Sequence, residues 1–550
     1  VRTTTTTFGG LLIAGALVLS ACSSSEGGTG DSPTPAPSSA TSASTSESGG
    51  AGASAGPAAQ SSDANTSAAP AVEGADKQLV LGQNGDIPTW DPSEMKEGAV
   101  IQYAEAVYDP LLRKKADATI EGNLATDFTY NDTLTELTLK LRDGVVFSDG
   151  EKFDGEAVKA NLEHAQKAAG SAAEAAKSIS SVSVTDPSTV VLKLAAPNPG
   201  LLSALATYAG FMVSPKALAA GTAATEPIGT GPYVLDAANS QKASSYLFTK
   251  NPAYWNSEAF PFGSVVIKPF EDFTARFNAL KTGQIQFMYG KNDMVDEAKA
   301  SGLTVGTVPG EWQGVIMQDR AGTVLPALAD VRVRQAINMA FDRQTIVDTY
   351  YGGFAQVSEQ TFNPASEAWV DALNTKYPYD PAAAKALLAE AGYPNGFELP
   401  IGYSTGFMDP LVAIVTQYLG DIGITVKPVP INGFSNGGLD SLLANPVYML
   451  SFSTNIPAWT DVLNKITPTS LWNHFKYEDP KVTQLLTDIP NNAGAKQADL
   501  YKELNTYLVD QAWFAPIATI QNIYLWSPQI DVTMQQSQLV PSLRFFKPAS

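Results

Sequence analysis

The 550-residue chain is short of three things: cysteine, present once; histidine, present twice; and positive charge, with 35 Lys and Arg against 55 Asp and Glu, a formal net charge of −20. Each scarcity removes a class of function. The lone cysteine, Cys22, excludes an internal disulfide. His164 and His474 stand far apart with no cysteine or second histidine at ligand spacing, which argues against a zinc site of the usual kinds. Such acidity repels phosphate backbones and anionic headgroups, so nucleic acid is not an expected partner. No Gly-x-x-x-x-Gly-Lys-Ser/Thr occurs; the nearest fragment, Gly290-Lys291-Asn292, lacks the hydroxyl that would hold magnesium. No cofactor is expected. Any ATP hydrolysis belongs to another polypeptide.

The first 77 residues read as address and tether. Arg2 precedes an uncharged apolar stretch, Gly9 to Ala21, whose thirteen residues are too few to span a bilayer. Leu19-Ser20-Ala21-Cys22 resembles the lipobox of bacterial lipoproteins, which implies a signal peptide over 1–21 and a lipid anchor on Cys22. Two acyl chains supply the second signal that stable anchoring needs. The expected location is extracytoplasmic, on the outer face of the cytoplasmic membrane. Between Ser23 and Asp76, 45 of 54 residues are Ser, Thr, Ala, Gly or Pro, with no aromatic, Leu or Ile. Nothing there repays the entropy of ordering, so 22–77 is expected to be a disordered linker.

Residues 78–550 mix strand and helix signals and contain no 18-residue apolar run. Gln78 to Gly82, the alternating Leu134 to Leu141 and Ser188 to Leu194 predict strands. Asp380 as N-cap, Pro381 in the first turn, an Ala384, Leu387, Leu388, Ala391 stripe and Gly392 as the stop predict a helix. A second helix begins at Asp330, with Val333, Ile337, Ala340 and Phe341 inward and Arg332, Arg334 and Gln335 outward. The class is α/β.

Five segments, Leu141 to Gly150 (LRDGVVFSDG), Gly229 to Leu235 (GTGPYVL), Lys250 to Trp255 (KNPAYW), Asp330 to Arg343 (DVRVRQAINMAFDR) and Tyr379 to Tyr393 (YDPAAAKALLAEAGY), resemble in their order the family 5 extracytoplasmic solute-binding proteins of ABC importers. The resemblance implies a two-lobed periplasmic-binding-protein fold, type II and of the large class. Lobe one would be 78–310 with an extra subdomain over 119–205, lobe two 311–512, and 513–550 the return to lobe one. Two crossovers, near Gly310 to Gln318 and Ala512 to Thr519, would form the hinge. It further implies a monomer that captures a peptide or other small polar solute by closing, then delivers it to a permease with separate ATPase subunits. Gly229 and Gly231 beside Pro232 read as a tight turn entering a strand, and Lys250 to Trp255 as a capped corner with packed aromatics.

A closing cleft needs fixed polar partners and aromatic walls on loops at strand ends. In the segments that the resemblance implies around the cleft, the residues of these types are Trp90, Trp312, Gln313, Tyr403, Ser404, Phe407, Ser453, Thr454, Asn455, Trp459, Asp461, Trp472 and Asn473. In peptide-binding members the loop corresponding to Leu450 to Asp461 carries an acid for the ligand's α-ammonium; here no acid precedes Asp461. An unpaired buried ammonium costs several kcal/mol. Free-amine peptides are therefore in doubt unless Asp461 or Asp319 compensates, and a blocked peptide, opine or sugar-like solute is the alternative. The two histidines give a nickel chelate no support. One enzyme signal competes: Gly402-Tyr403-Ser404-Thr405-Gly406 fits the nucleophile-elbow pattern, with Asp461 and His474 downstream in hydrolase order. No oxyanion-hole loop accompanies it, so a serine hydrolase ranks below binding, as does a peptide chaperone or receptor unlinked to transport.

Overall fold

A computed structural model describes residues 77–549 apart from 96, 97, 99, 407, 435 and 436. The expected signal peptide, the Cys22 anchor, all but the last residue of the linker, and Phe407 lie outside the described residues.

The backbone of the fold is an eleven-stranded sheet built from two halves. In one half Gln78–Gln83 lies parallel between Ser264–Pro269 and Phe287–Gly290, and Tyr246–Lys250 and Tyr233–Leu235 extend the edge. In the other, Glu398–Ser404 lies parallel between Thr425–Ile431 and Val447–Ser453. Central parallel strands are covered on both faces, so they read as unbroken apolar runs rather than as an alternation. Val447 to Leu450 fits that rule, with all four side chains buried.

Two long strands join the halves. The crossing strand Thr304–Met317 pairs antiparallel with the return strand Phe514–Trp526 from Thr304 opposite Trp526 to Ile316 opposite Phe514. The register slips between Pro309 and Glu311, where proline has no N–H to give to the ladder, and again between Gln313 and Gly314. Each half has its own core. Leu79, Leu81, Tyr103, Phe248 and Phe287 belong to one, and Val315, Ile337, Leu388, Ile401 and Met449 to the other. The fold is two-lobed.

A separate four-stranded antiparallel sheet, ordered Ala125–Tyr130, Glu136–Leu141, Thr189–Leu194, Ile179–Asp186, packs Leu137, Leu139, Val190 and Leu192 against Val158 and Leu162 of the helix Gly155–Ala165. The strand expected from Leu134 starts at Glu136 instead. The chain has just reversed after Tyr130, so Leu134 sits at φ 56° in a turn whose Asn131 side chain accepts from the Thr135 and Glu136 N–H groups.

The helix Pro381–Glu390 starts and stops as its punctuation predicts: the Asp380 carboxylate accepts from Ala383 N at 2.9 Å, and Gly392 follows at φ 94°. The helix Val331–Met339 is capped by Asp330 as expected. Arg334 and Gln335 of this helix do not face outward, however. Arg334 is buried and donates to Leu328 O, Ala329 O and Gln511 O, and Gln335 donates to Asp510 O. The carbonyls left over where the return strand begins need donors, and a guanidinium supplies several at once.

Gly229 and Gly231 also have another reason than a turn. Neither has positive φ; a Cβ on Gly231 would lie 2.4 Å from Val107 C and one on Gly229 2.2 Å from Val107 O. They let this segment lie against the end of the helix Ile101–Val107, where Gly231 N donates to Val107 O. The Lys250 to Trp255 corner is capped by Asn251, whose side chain accepts from Ala253 N and donates to Gly231 O. Its aromatics are pinned by buried Asp109, which accepts from Tyr254 Oη at 3.0 Å and Trp255 Nε1 at 2.9 Å.

Candidate functional site

A cavity of about 450 Å³ opens beside the register slip of the crossing strand. Its walls come from segments remote in sequence: Ile101 and Gly200 to Tyr208 on one side, Ser453 to Ile456 with Thr460 and Asn464 on the other, Pro309 to Glu311 and Asn522 on the paired strands, and Ser537 to Leu539 from the C-terminal stretch. A more open hollow of about 870 Å³ lies where Lys77 meets Arg544 to Ala549. Its walls belong to one half of the molecule, so closure could not act on it.

Of the residues expected to line a cleft, Ser453, Thr454 and Asn455 do line this cavity. Thr454 N donates to Gly310 O at 2.9 Å, which fixes their strand end to the crossing strand. Trp459 is buried just behind the wall, and a Cβ on Gly200 would stand 3.6 Å from its Cδ1.

The other expected residues lie elsewhere. Strand alternation sends Trp312 and its cross-strand partner Phe452 to the core face, with ring centroids 5.4 Å apart, and leaves Glu311 and Ser453 on the cavity face. Gln313 is buried and accepts from Tyr351 Oη at 2.7 Å. Trp90 packs edge-on against Tyr103, Tyr246 and Phe248. Tyr403 and Ser404 end a strand without reaching the cavity, and burial together with nearby Asp409 pushes the Tyr403 phenol up. The Trp472 ring leans on Phe452 at 4.9 Å. Asn473 is buried and donates to Ile466 O, Thr467 O and Tyr477 O.

The acids proposed for an ammonium are already occupied. Asp461, 1% exposed, accepts from Lys465 Nζ at 2.6 Å and from Asn455 N and Nδ2. Asp319 accepts from Thr323 N and Oγ1, Val324 N and Leu325 N. These commitments also dissolve the hydrolase order, since Asp461 serves a lysine and exposed His474 lies beside Phe475. No hydrogen bond links Ser404, Asp461 and His474 among the described residues. Among those residues, no group of three or more His, Cys, Asp or Glu could hold a metal, and no helix is long and apolar enough to cross a membrane.

Residues 119–474 match the bacterial extracellular solute-binding proteins, family 5 middle region. The chain belongs to this family. The glutathione-binding protein GsiB of Salmonella paratyphi A is 30% identical over 359 residues, covering 64% of this chain and 69% of the relative. Two solved structures share the fold. HbpA2 from Haemophilus parasuis has a TM-score of 0.75 at 21% identity, covering 86% of this chain and all of that one (100%). DppA from Helicobacter pylori, in complex with the peptide STSA, has a TM-score of 0.68 at 21% identity, covering 86% and 98%. As a family 5 solute-binding protein, the chain is an extracytoplasmic binding protein of a family that is not enzymatic.

The cavity of this solute-binding protein also holds groups that no local sequence pattern marks. Glu311 stands next to the more conspicuous Trp312 in the sequence, and alternation along the strand sends the two to opposite faces. Gln538 and Ser537 come from the last fifteen residues, and only the tertiary fold brings them to the cavity. Behind Gln538 stands Glu105, which accepts from Gln538 Nε2 and from Leu543 N at 3.0 Å. Burial pushes its carboxyl from 4.5 up to about 7, against the pull of those hydrogen bonds. Between these two values the folded chain keeps a proton that the unfolded chain has lost. This contribution to stability is therefore greatest below about pH 4.5 and falls as the pH rises through about 7, by on the order of 3 kcal/mol. Urea unfolding at several pH values should show that slope, and Glu105→Gln should flatten it; an unchanged slope would exclude Glu105 as its source.

Proposed function

We propose that this protein is the capture component of an ABC importer, taking a peptide or other small polar solute into the cavity by lobe closure and presenting it to a permease with separate ATPase subunits. The observation that carries the reading is the cavity itself, whose opposite walls come from the two lobes and meet at the paired strands that join them. GsiB is named for glutathione and the DppA structure holds a peptide, which supports a peptide-like or similarly polar guest.

In this reading lobe one runs over 78–310 with its subdomain at 119–205, lobe two over 311–512, and 513–550 returns to lobe one. Ser453, Thr454 and Asn455 contact the solute, and Trp459 backs them. The chain acts as a monomer, held to the outer face of the membrane by lipid on Cys22. The solute leaves chemically unchanged; among the described residues no hydrogen bond joins Ser404 to Asp461 or His474, which supports that reading.

Closure follows from differential affinity: a solute touching both walls favours the state in which both touch it. A closed form populated at about 1% when empty needs roughly 10⁴-fold tighter binding than the open form to reach about 99%. Native mass spectrometry of protein extracted from membranes should show both the diacylated chain and a retained small molecule, and X-ray scattering should show compaction when that molecule is added back to stripped protein. An unchanged scattering profile at saturation, or a released molecule found cleaved, would overturn the reading.

A further inference from the structure

Among the described residues, the cavity wall holds one carboxylate, Glu311, and one lysine, Lys114; their other polar side chains are hydroxyls and amides, among them Thr207, Asn455 and Ser537. Glu311 lies on the crossing strand opposite Ser453 and accepts a hydrogen bond from Ser451 Oγ. No lysine or arginine among the described residues forms an ion pair with it, whereas the nearby acid Asp461 has Lys465. Its charge also reaches inward, where Tyr289 is pushed up to about 12 by burial first and by Glu311 second.

A carboxylate on the wall of a closing cavity loses water as the lobes meet. Without a cation this desolvation opposes closure; with one it favours it. We propose that Glu311 is the ammonium site of the cleft, and that the solute class is a polar molecule carrying a charged amine, seated against the crossing strand rather than against Asp461. This deepens the function proposed above and rests on the cavity being where the solute binds. Asp461 and Lys465 are then internal structure: the loop after Ser453 supplies its own ammonium, and the ligand's is taken one strand away.

The test compares trialanine, reduced glutathione and glucosamine with their N-acetyl forms, by tryptophan fluorescence titration of the wild-type chain and of Glu311→Gln. Acetylation removes the positive charge and adds a small neutral acyl group, whose bulk the comparison with Glu311→Gln separates from the charge. At least one amine is expected to bind about thirtyfold more tightly than its acetylated form, and Glu311→Gln should abolish that preference with thermal unfolding unchanged. The ratio of amine to N-acetyl affinity is decisive, because a purely structural role for Glu311 would leave it unmoved. Acetylated probes that bind as well as amines, or a preference that survives in Glu311→Gln, would overturn the ammonium site while leaving solute capture standing. If no probe binds, the assignment falls; if a peptone extract then also produces no compaction, the proposed function falls with it.

Discussion

Replacing Arg343 by methionine is expected to cost on the order of 3–5 kcal/mol and to lower the melting temperature by roughly 10 °C. The guanidinium is 4% exposed and donates to Pro516 O at 2.8 Å, Asn338 O at 2.9 Å, Tyr377 O at 3.3 Å and Asn338 Oδ1 at 2.9 Å. Glu359 lies 4.0 Å away and accepts from Tyr377 N. Methionine fills much of the same space but leaves those acceptors without donors and Glu359 without its counter-charge. The damage falls where the helix Val331–Met339 meets the return strand, so it reaches the hinge as well as the core. Lysine should recover only part of the loss, because a point charge cannot replace a planar fork bonded on several sides. Calorimetry of the three proteins decides the matter; a methionine variant within about 1 kcal/mol of wild type would show that water replaces the lost donors.

Lys465→Met is the second large effect, about 3–5 kcal/mol, because it strands a buried carboxylate. Lys465 and Asp461 are 5% and 1% exposed, and the ammonium bonds both Asp461 Oδ1 and Ser453 O at 2.6 Å. The double change Lys465→Met with Asp461→Leu should regain most of the stability, since removing both charges also removes their desolvation cost. It should not regain solute affinity, because Asn455 on the cavity wall is oriented by Asp461 through two hydrogen bonds. A double-mutant cycle read by urea unfolding, alongside fluorescence titration with the solute recovered from native protein, separates the two effects. If the double variant binds as wild type does, the pair has no part in holding the wall.

The helix Pro381–Glu390 was legible because its signals are local: an acceptor before the first turn, a proline inside it, a glycine after it. The two-lobed class followed from the family resemblance that five segments carry, not from any local pattern. Other features required partners that no local pattern reveals. Arg334 looks like a solvent-facing charge until Gln511 brings its carbonyl alongside, and Gly229 and Gly231 look like a turn until Val107 arrives more than a hundred residues away in sequence. Aromatic residues are poor markers of the cavity in this chain. Large rings concentrate where apolar area can be buried, so Trp312 and Trp90 went to the cores, while the small polar groups at Ser453 to Asn455 kept the surface. Alternation along the crossing strand would have exchanged Trp312 for Glu311.

The crossing and return strands hold each other rung by rung on either side of Pro309. Two separate tethers would let the lobes slide and roll; two tethers zipped together resist sliding and leave one line about which to swing. On closure, groups carried on that line, Glu311 and Asn522, would keep station while the outer walls at Thr207 and Asn464 swept inward. A guest would thus be gauged twice, first by a stationary seat for its charge and then by how much bulk it places between the jaws.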